Sequence, residues 1–136
     1  MITPMSTPQT APTAHTPAQR TQRPWGWYET VTEAAGHKVK RIHVLAGQRL
    51  SLQKHAHRAE HWVVVRGLAR ITLGNPDGEA WREFDLGVGQ HCDIALGQVH
   101  RLASVGSAPV EIMELQFGVY LGEDDITRLH DDFGRV

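Results

Sequence analysis

From about residue 37 onward, apolar and polar residues alternate or β-branched residues cluster in short runs, each closed by glycine, proline, asparagine or aspartate. The runs recur about every 8–12 residues, a spacing that belongs to a sandwich or barrel of short strands. The pattern predicts strands over 37–45, 48–56, 60–66, 68–74, 80–86, 91–95, 99–105 and 110–117. Ala46-Gly47, Arg66-Gly67, Asn75-Pro76-Asp77-Gly78, Gly87-Val88-Gly89, Leu96-Gly97 and Gly106-Ser107-Ala108-Pro109 supply the turns between them. No segment before residue 118 shows a helical period. In 118–129, Glu123, Asp124 and Asp125 precede Arg128, the charge order a helix dipole favours, and a short C-terminal helix is expected there. Residues 1–23 are rich in Thr, Pro, Ala and Gln, with prolines at 4, 8, 12 and 17 and no apolar periodicity. Such a segment buries too little apolar surface to offset its ordering entropy, so 1–23, with His15, is expected to be a disordered tail. The aromatics of Trp25, Trp27 and Tyr28 mark the start of a folded domain over 24–136.

A chain of 136 residues is enough for one such domain. Fourteen Lys and Arg against 15 Asp and Glu leave the overall field near neutral, which argues against a nucleic-acid or membrane-surface partner. Apolar runs are too short to span a bilayer, and 1–23 has no apolar core of a secretory signal. Cys92 is the single cysteine, so no internal disulfide forms and a reducing cytoplasm is the expected setting. Nine histidines change the picture, because five of them fall between His55 and His100.

Strand parity assigns these side chains to faces. Ser51, Gln53, His55 and His57 share one face, with Leu52, Lys54 and Ala56 on the other. After the turn, Glu60, Trp62 and Val64 share a face opposite His61, Val63 and Val65. If the two strands pair as a hairpin, Gln53, His55 and Glu60 converge. An amide, an imidazole and a carboxylate buried together without partners would cost about 1–3 kcal/mol for each neutral group and more for the charge. One divalent metal satisfies all three. His100, which follows the Gly97 turn, is positioned to reach the same cavity as a fourth ligand. His61 and the tryptophans Trp25, Trp27, Trp62 and Trp81 are expected to serve packing or outer faces.

The spacing also resembles the two metal motifs of the cupin superfamily. In the first, two ligands one residue apart are followed by four residues, Glu, six residues and Gly; Gln53, His55, Glu60 and Gly67 fit without a gap. The pair His55 and His57 does not fit, since Glu60 would then come too early. The second motif is matched by Gly89, Gly97 and His100, with Ala95 in place of the usual proline and Ser104 in place of the usual asparagine. Over Arg23 to Arg135 the strings RPWGWYE, KVKRIHV, QKHAHRAEHWVVVRGLARITLG, LGQVHRL and YLGEDDITRLHDDFGR resemble the C-terminal domain of type II phosphomannose isomerases, often fused to a mannose-1-phosphate guanylyltransferase. Lys54 and Ala56 stand where members often carry Met and His.

The resemblance implies an all-β cupin, a double-stranded β-helix or jelly-roll barrel with a short C-terminal helix. It implies interconversion of mannose 6-phosphate and fructose 6-phosphate. With no glycine-rich nucleotide loop in the chain, guanylyltransferase activity is not expected. Aldose–ketose isomerisation moves a proton between C2 and C1 and benefits from a Lewis acid at the carbonyl. Gln53, His55, Glu60 and His100 would hold one divalent ion, with Zn first and Mn, Fe, Co or Ni as alternatives. Two residues compete as the proton-transfer base. His57 has an ordinary pKa suited to neutral pH. Glu114, on the face of Val110, Ile112 and Gln116 and at a family motif position, would be a buried carboxylate with a raised pKa. The phosphate requires forked donors, and Arg58, Arg128 and Arg135 are the candidates, with Arg101 and Lys40 behind them. A sugar phosphate is thus the expected small-molecule partner and a homodimer the expected assembly. A non-catalytic sugar-phosphate-binding or regulatory cupin, and another cupin enzyme such as a dioxygenase or epimerase, are the competing readings.

Overall fold

The computed structural model of the chain describes residues 19–136, and the tail expected over 1–18, His15 included, lies outside the described residues. The described residues form eleven strands: β1 (Thr21–Arg23), β2 (Gly26–Ala34), β3 (His37–Val44), β4 (Leu52–Lys54), β5 (Arg58–Arg66), β6 (Ala69–Gly74), β7 (Arg82–Leu86), β8 (His91–Ile94), β9 (Val99–Ser104), β10 (Val110–Gly118) and β11 (Thr127–His130). They make two antiparallel sheets, ordered β1-β2-β3-β10-β5-β8 and β11-β4-β9-β6-β7. Inward residues of both sheets share one apolar core, with Ile42, Trp62, Val64 and Ile112 from the first and Ile71, Leu73 and Leu102 from the second.

Alternation along each strand builds this arrangement. In β5, Arg58, Glu60, Trp62 and Val64 are buried while Ala59, His61 and Val63 are half-buried on the outer face. The same alternation buries Lys38, Lys40, Ile42 and Val44 in β3, and Val110, Ile112, Glu114 and Gln116 in β10. Every one of these inward rows is polar at one end and apolar at the other. Register aligns the ends: Lys40 lies opposite Glu114, Gln116 opposite Glu60, and Ile112 opposite both Ile42 and Val64. The interior is therefore an apolar plug in one half and a charged chamber in the other.

Three parts of the sequence reading are corrected. The segment 118–129 is not a helix; it turns through 122–125 and ends in β11, which pairs with β4. Two of its three acidic residues take partners outside the segment rather than serving a helix dipole, Glu123 bound to Lys40 and Asp125 to the backbone of 56 and 57, while Asp124 accepts from Tyr120 within it. Strands β4 and β5 are not a hairpin: β4 belongs to the sheet of β9 and β5 to that of β10 and β8. The run expected over 48–56 reduces to Leu52–Lys54, with Arg49 making an isolated bridge to Ala103. β2 and β11 were not expected, and β1 covers residues 21–23, assigned to the tail. In β2 the register slips at a bulge between Thr30 and Thr32, which breaks the period-2 signal. Gly67, the last residue of the first motif, adopts a left-handed φ of 78° in the β5–β6 turn, and a Cβ there would collide with the Pro109 carbonyl.

Candidate metal centre and adjoining cavity

Three elements bring the principal ligands together. Glu60 comes from β5, His100 from β9, and His55 from the connection just beyond β4. One donor atom from each lies within 4.8 Å of the others, and all three residues are buried. His100 Nε2 is 3.3 Å from Glu60 Oε1, and His55 Nε2 is 3.8 Å from Glu60 Oε2. Gln53 reaches the same chamber from β4, directly across the ladder from His100, and its Oε1 accepts a hydrogen bond from Ser51 Oγ at 2.9 Å.

The tautomers suit a cation. His55 Nδ1 is 2.6 Å from the Asp125 carbonyl and His100 Nδ1 is 2.9 Å from the Gln98 carbonyl, so each Nδ1 donates. Each Nε2 then offers a lone pair towards Glu60. Glu60 Oε1 and His100 Nε2 are buried with no hydrogen-bond partner among the described residues, an expensive condition for two polar atoms pointing at one place. A divalent metal bound by the imidazole lone pairs and the carboxylate removes that cost, and the donor set fits one. Burial pulls the His55 pKa down to about 4, which keeps its ring neutral and ligating at pH 7. Burial alone would push the Glu60 carboxyl up, yet His100, His55 and Arg58 beside it hold it well below the ordinary carboxylate range.

Arg58 is the cation now closest to these ligands. Its Nε donates to Glu60 Oε2 and its Nη2 to His55 Nε2, both at 3.2 Å. Metal and guanidinium would compete for those lone pairs, so the residue expected to bind phosphate is here engaged with the ligands themselves.

Glu114 lines the same cavity and is 4% exposed. Burial, and then the neighbouring charge of Glu60, push its carboxyl up to about 8. Gln116 Nε2 donates to Glu114 Oε1 at 2.5 Å. The mouth above is cationic. Arg128 and Arg135 line it, joined by Arg23 from β1 and Lys40 from β3. Arg135 is bound in fork geometry to Asp131, at 2.8 and 2.9 Å. Arg128 Nε is buried without a partner among the described residues, and burial together with Arg135 and Arg23 pulls its pKa down. Like charges gathered at one point favour an anion between them.

Two sequence-predicted site residues are not brought to this cavity. His57 is exposed and lines a separate depression with Tyr120, Asp124 and Asp125. Parity misplaced it because β4 ends at Lys54, and the alternation does not continue through the bend at 56–57. Arg101 is buried on the outer side of β9, where its Nε donates to the Leu50 carbonyl at 2.9 Å and its Nη2 contacts His130 Nδ1 at 2.7 Å. It lines a different cavity, with Arg49 and Arg70. Lys40, a weaker candidate, proves to be a wall of the chamber, packed over the Tyr28 ring at 4.2 Å and paired with Glu123. Arg23 was missed because its segment reads as tail. Burial pushes the Cys92 thiol up to about 11, which removes it as a ligand or nucleophile at neutral pH.

Two facing antiparallel sheets with a His-Glu-His cluster in the polar half of their interior define a cupin. The likeness extends to solved cupins: the capsular polysaccharide assembling protein CapF of Staphylococcus aureus (TM-score 0.72, 15% identity, 84% of this chain and 34% of that one) and oxalate decarboxylase of Bacillus subtilis (TM-score 0.73, 18% identity, 82% and 30%) share the fold. Within that class, the chain belongs to the family described as mannose-6-phosphate isomerase C-terminal, whose model matches residues 10–131. It is 50% identical over 114 residues to the alginate biosynthesis protein AlgA of Pseudomonas aeruginosa, and 45% identical over 114 residues to the mannose-1-phosphate guanylyltransferase ManC of Salmonella typhimurium. Both alignments take in 84% of this chain but only 22% of the relative, so the chain spans less than a quarter of the length of these relatives.

Proposed function

We propose that this chain is a metal-dependent aldose–ketose isomerase that interconverts mannose 6-phosphate and fructose 6-phosphate. The observation that carries the reading is one cavity lined by Gln53 and His55, the buried carboxyl of Glu114 and the guanidinium of Arg128, whose Nε has no partner among the described residues, with His55 in turn meeting Glu60 and His100. Membership of the mannose-6-phosphate isomerase C-terminal family supports the choice of sugar. A dioxygenase of the same fold has no comparable use for an anion site.

His55, Glu60 and His100, with Gln53, would hold one divalent ion, zinc first among the candidates, which supplies Lewis-acid polarisation of the sugar carbonyl and its neighbouring hydroxyl. Glu114 is the base that moves the proton between C2 and C1. It sits in the cavity wall between Lys40 and the ligand Glu60, and the exposure of His57 removes the competitor. Arg128 binds the phosphate, its Nε having no acceptor among the described residues, and Arg23, Lys40 and Arg135 add charge around it. The closed apolar half of the barrel keeps water from the reaction on that side. We further propose that the protein works in the cytoplasm as a homodimer.

Purified protein with Zn²⁺ should convert mannose 6-phosphate to fructose 6-phosphate in a coupled assay. Glu114→Gln should lower kcat by about 10²–10⁴-fold while leaving the melting temperature unchanged or higher, because a buried carboxyl beside Glu60 is removed. Absence of turnover with every divalent ion tried would reject the isomerase and favour a sugar-phosphate-binding cupin.

A further inference from the structure

The ligands do not stand on equally firm ground. Glu60 and His100 lie within the β5 and β9 ladders, but His55 falls one residue beyond the end of β4. Its own carbonyl accepts from Gly97 N at 3.0 Å, which fixes its backbone but not its ring. The ring is held instead by a residue 70 positions away. The Asp125 carbonyl accepts from His55 Nδ1 at 2.6 Å, while the two Asp125 carboxylate oxygens accept from the backbone amides of Ala56 and His57 at 2.8 and 2.9 Å. One residue thus grips both the ring and the bend that follows it. The strap carrying Asp125 is itself tied down, by Lys38 Nζ donating to the Leu121 carbonyl at 2.8 Å and by the Lys40–Glu123 pair. Asp124, its neighbour, points elsewhere, with its carboxylate accepting from the Tyr120 hydroxyl at 2.5 Å.

We propose that Asp125 is a positioning residue for the metal centre: its carbonyl selects the His55 tautomer that presents Nε2, and its carboxylate holds the 56–57 bend so that the ring faces Glu60 and His100. This rests on the reading that His55 ligates a divalent metal. It gives the C-terminal strap a task at the ligands as well as at the phosphate, since Arg128 follows Asp125 by three residues and lies opposite Gln53 in the β11–β4 pair.

Zn²⁺ affinity, read by competition with a chromophoric chelator, tests the assignment. Asp125→Ala, which keeps the carbonyl but releases the 56–57 bend and with it the registration of that carbonyl against His55 Nδ1, should weaken binding about 10–100-fold, the range for loss of a partner that orients a ligand. Asp125→Asn, which keeps one acceptor oxygen, should lose less, and Asp124→Ala should stay within about twofold of the parent. Equal affinity of Asp125→Ala and the parent overturns the inference alone. No Zn²⁺ binding by the parent overturns the metal reading and this inference with it. Should Asp125→Ala fail to fold, ¹⁵N spectra of the parent decide. His55 is expected wholly in the Nδ1–H tautomer at neutral pH, and an Nε2–H form or a mixture overturns the proposal.

Discussion

Residue by residue, the cluster proposed to hold a metal was the most legible part of the chain, His55, Glu60 and His100 being buried together. Gln53, His55, Glu60 and His100 could be selected because parity, the Glu60–Gly67 interval and the turn at Gly97 are all written locally. Residues whose meaning depends on where a strand stops, or which side of it faces in, were not. His57 lost its place when β4 ended early, and Arg101 turned out to face away from the chamber that its neighbour His100 enters. The two arginines make a discriminating pair. Arg101→Ala removes buried hydrogen bonds to Leu50 and His130 and should cost about 1–3 kcal/mol of stability with KM unchanged. Arg128→Ala should do the reverse: KM for the sugar phosphate rises at least about tenfold, in line with the loss of a charged hydrogen bond, and the melting temperature holds. Denaturant melts and initial-rate kinetics on the two variants separate the roles.

At the level of elements, the alternating runs predict β3 and β5–β10, the edge strands β7 and β8 included, but not β2 with its bulge or the short edge strands β1 and β11. β2 was lost to its bulge, and its buried Glu29 pairs through Oε1 with Arg41 while Oε2, 3.9 Å from Arg20 Nε, has no hydrogen-bond partner among the described residues, contacts that no pattern along the strand reveals. The C-terminal segment was misread because its acidic run mimics a helix start. Its contacts are long-range, and no local rule reports that a carboxylate will be captured by amides some 68 positions earlier. The end of this element has its own pH signature. The fork from Arg135 to Asp131 holds the Asp131 carboxyl down to about 2. A carboxyl depressed below its unfolded value of about 3.9 contributes stability above that value and loses it as pH falls through the folded value. The stability advantage of the parent over Asp131→Asn should therefore be full at pH 5 and fade between about pH 4 and pH 2. An advantage that is flat across that window, measured by thermal melts at each pH, would show that the fork does not hold the tail.

For the molecule as a whole, the governing feature is the division of one interior into an apolar half and a charged half. The apolar half carries the fold: Val44, Ile71, Leu102, Val110 and Ile112 are fully buried and need no ligand. The charged half buries Lys38, Lys40, Arg58, Glu60, His100 and Glu114 together, an arrangement that costs stability unless the charges are matched. Such a chamber is retained for what it binds, and the resemblance of the sequence to a family of sugar-phosphate isomerases is consistent with the content of the chamber. The all-β class, as a sandwich or barrel of short strands, was evident from spacing alone. The assignment of β4 and β5 to opposite sheets was not, yet it is what lets residues of one short stretch meet across the interior.

One metal at His55, Glu60, His100 and Gln53 is what we propose makes the cavity an isomerase. Titrating metal-free protein with Zn²⁺ while following conversion of mannose 6-phosphate to fructose 6-phosphate tests it most directly. Activity should rise linearly to one equivalent, then plateau, and vanish on chelation. Turnover that survives complete demetallation would contradict the account.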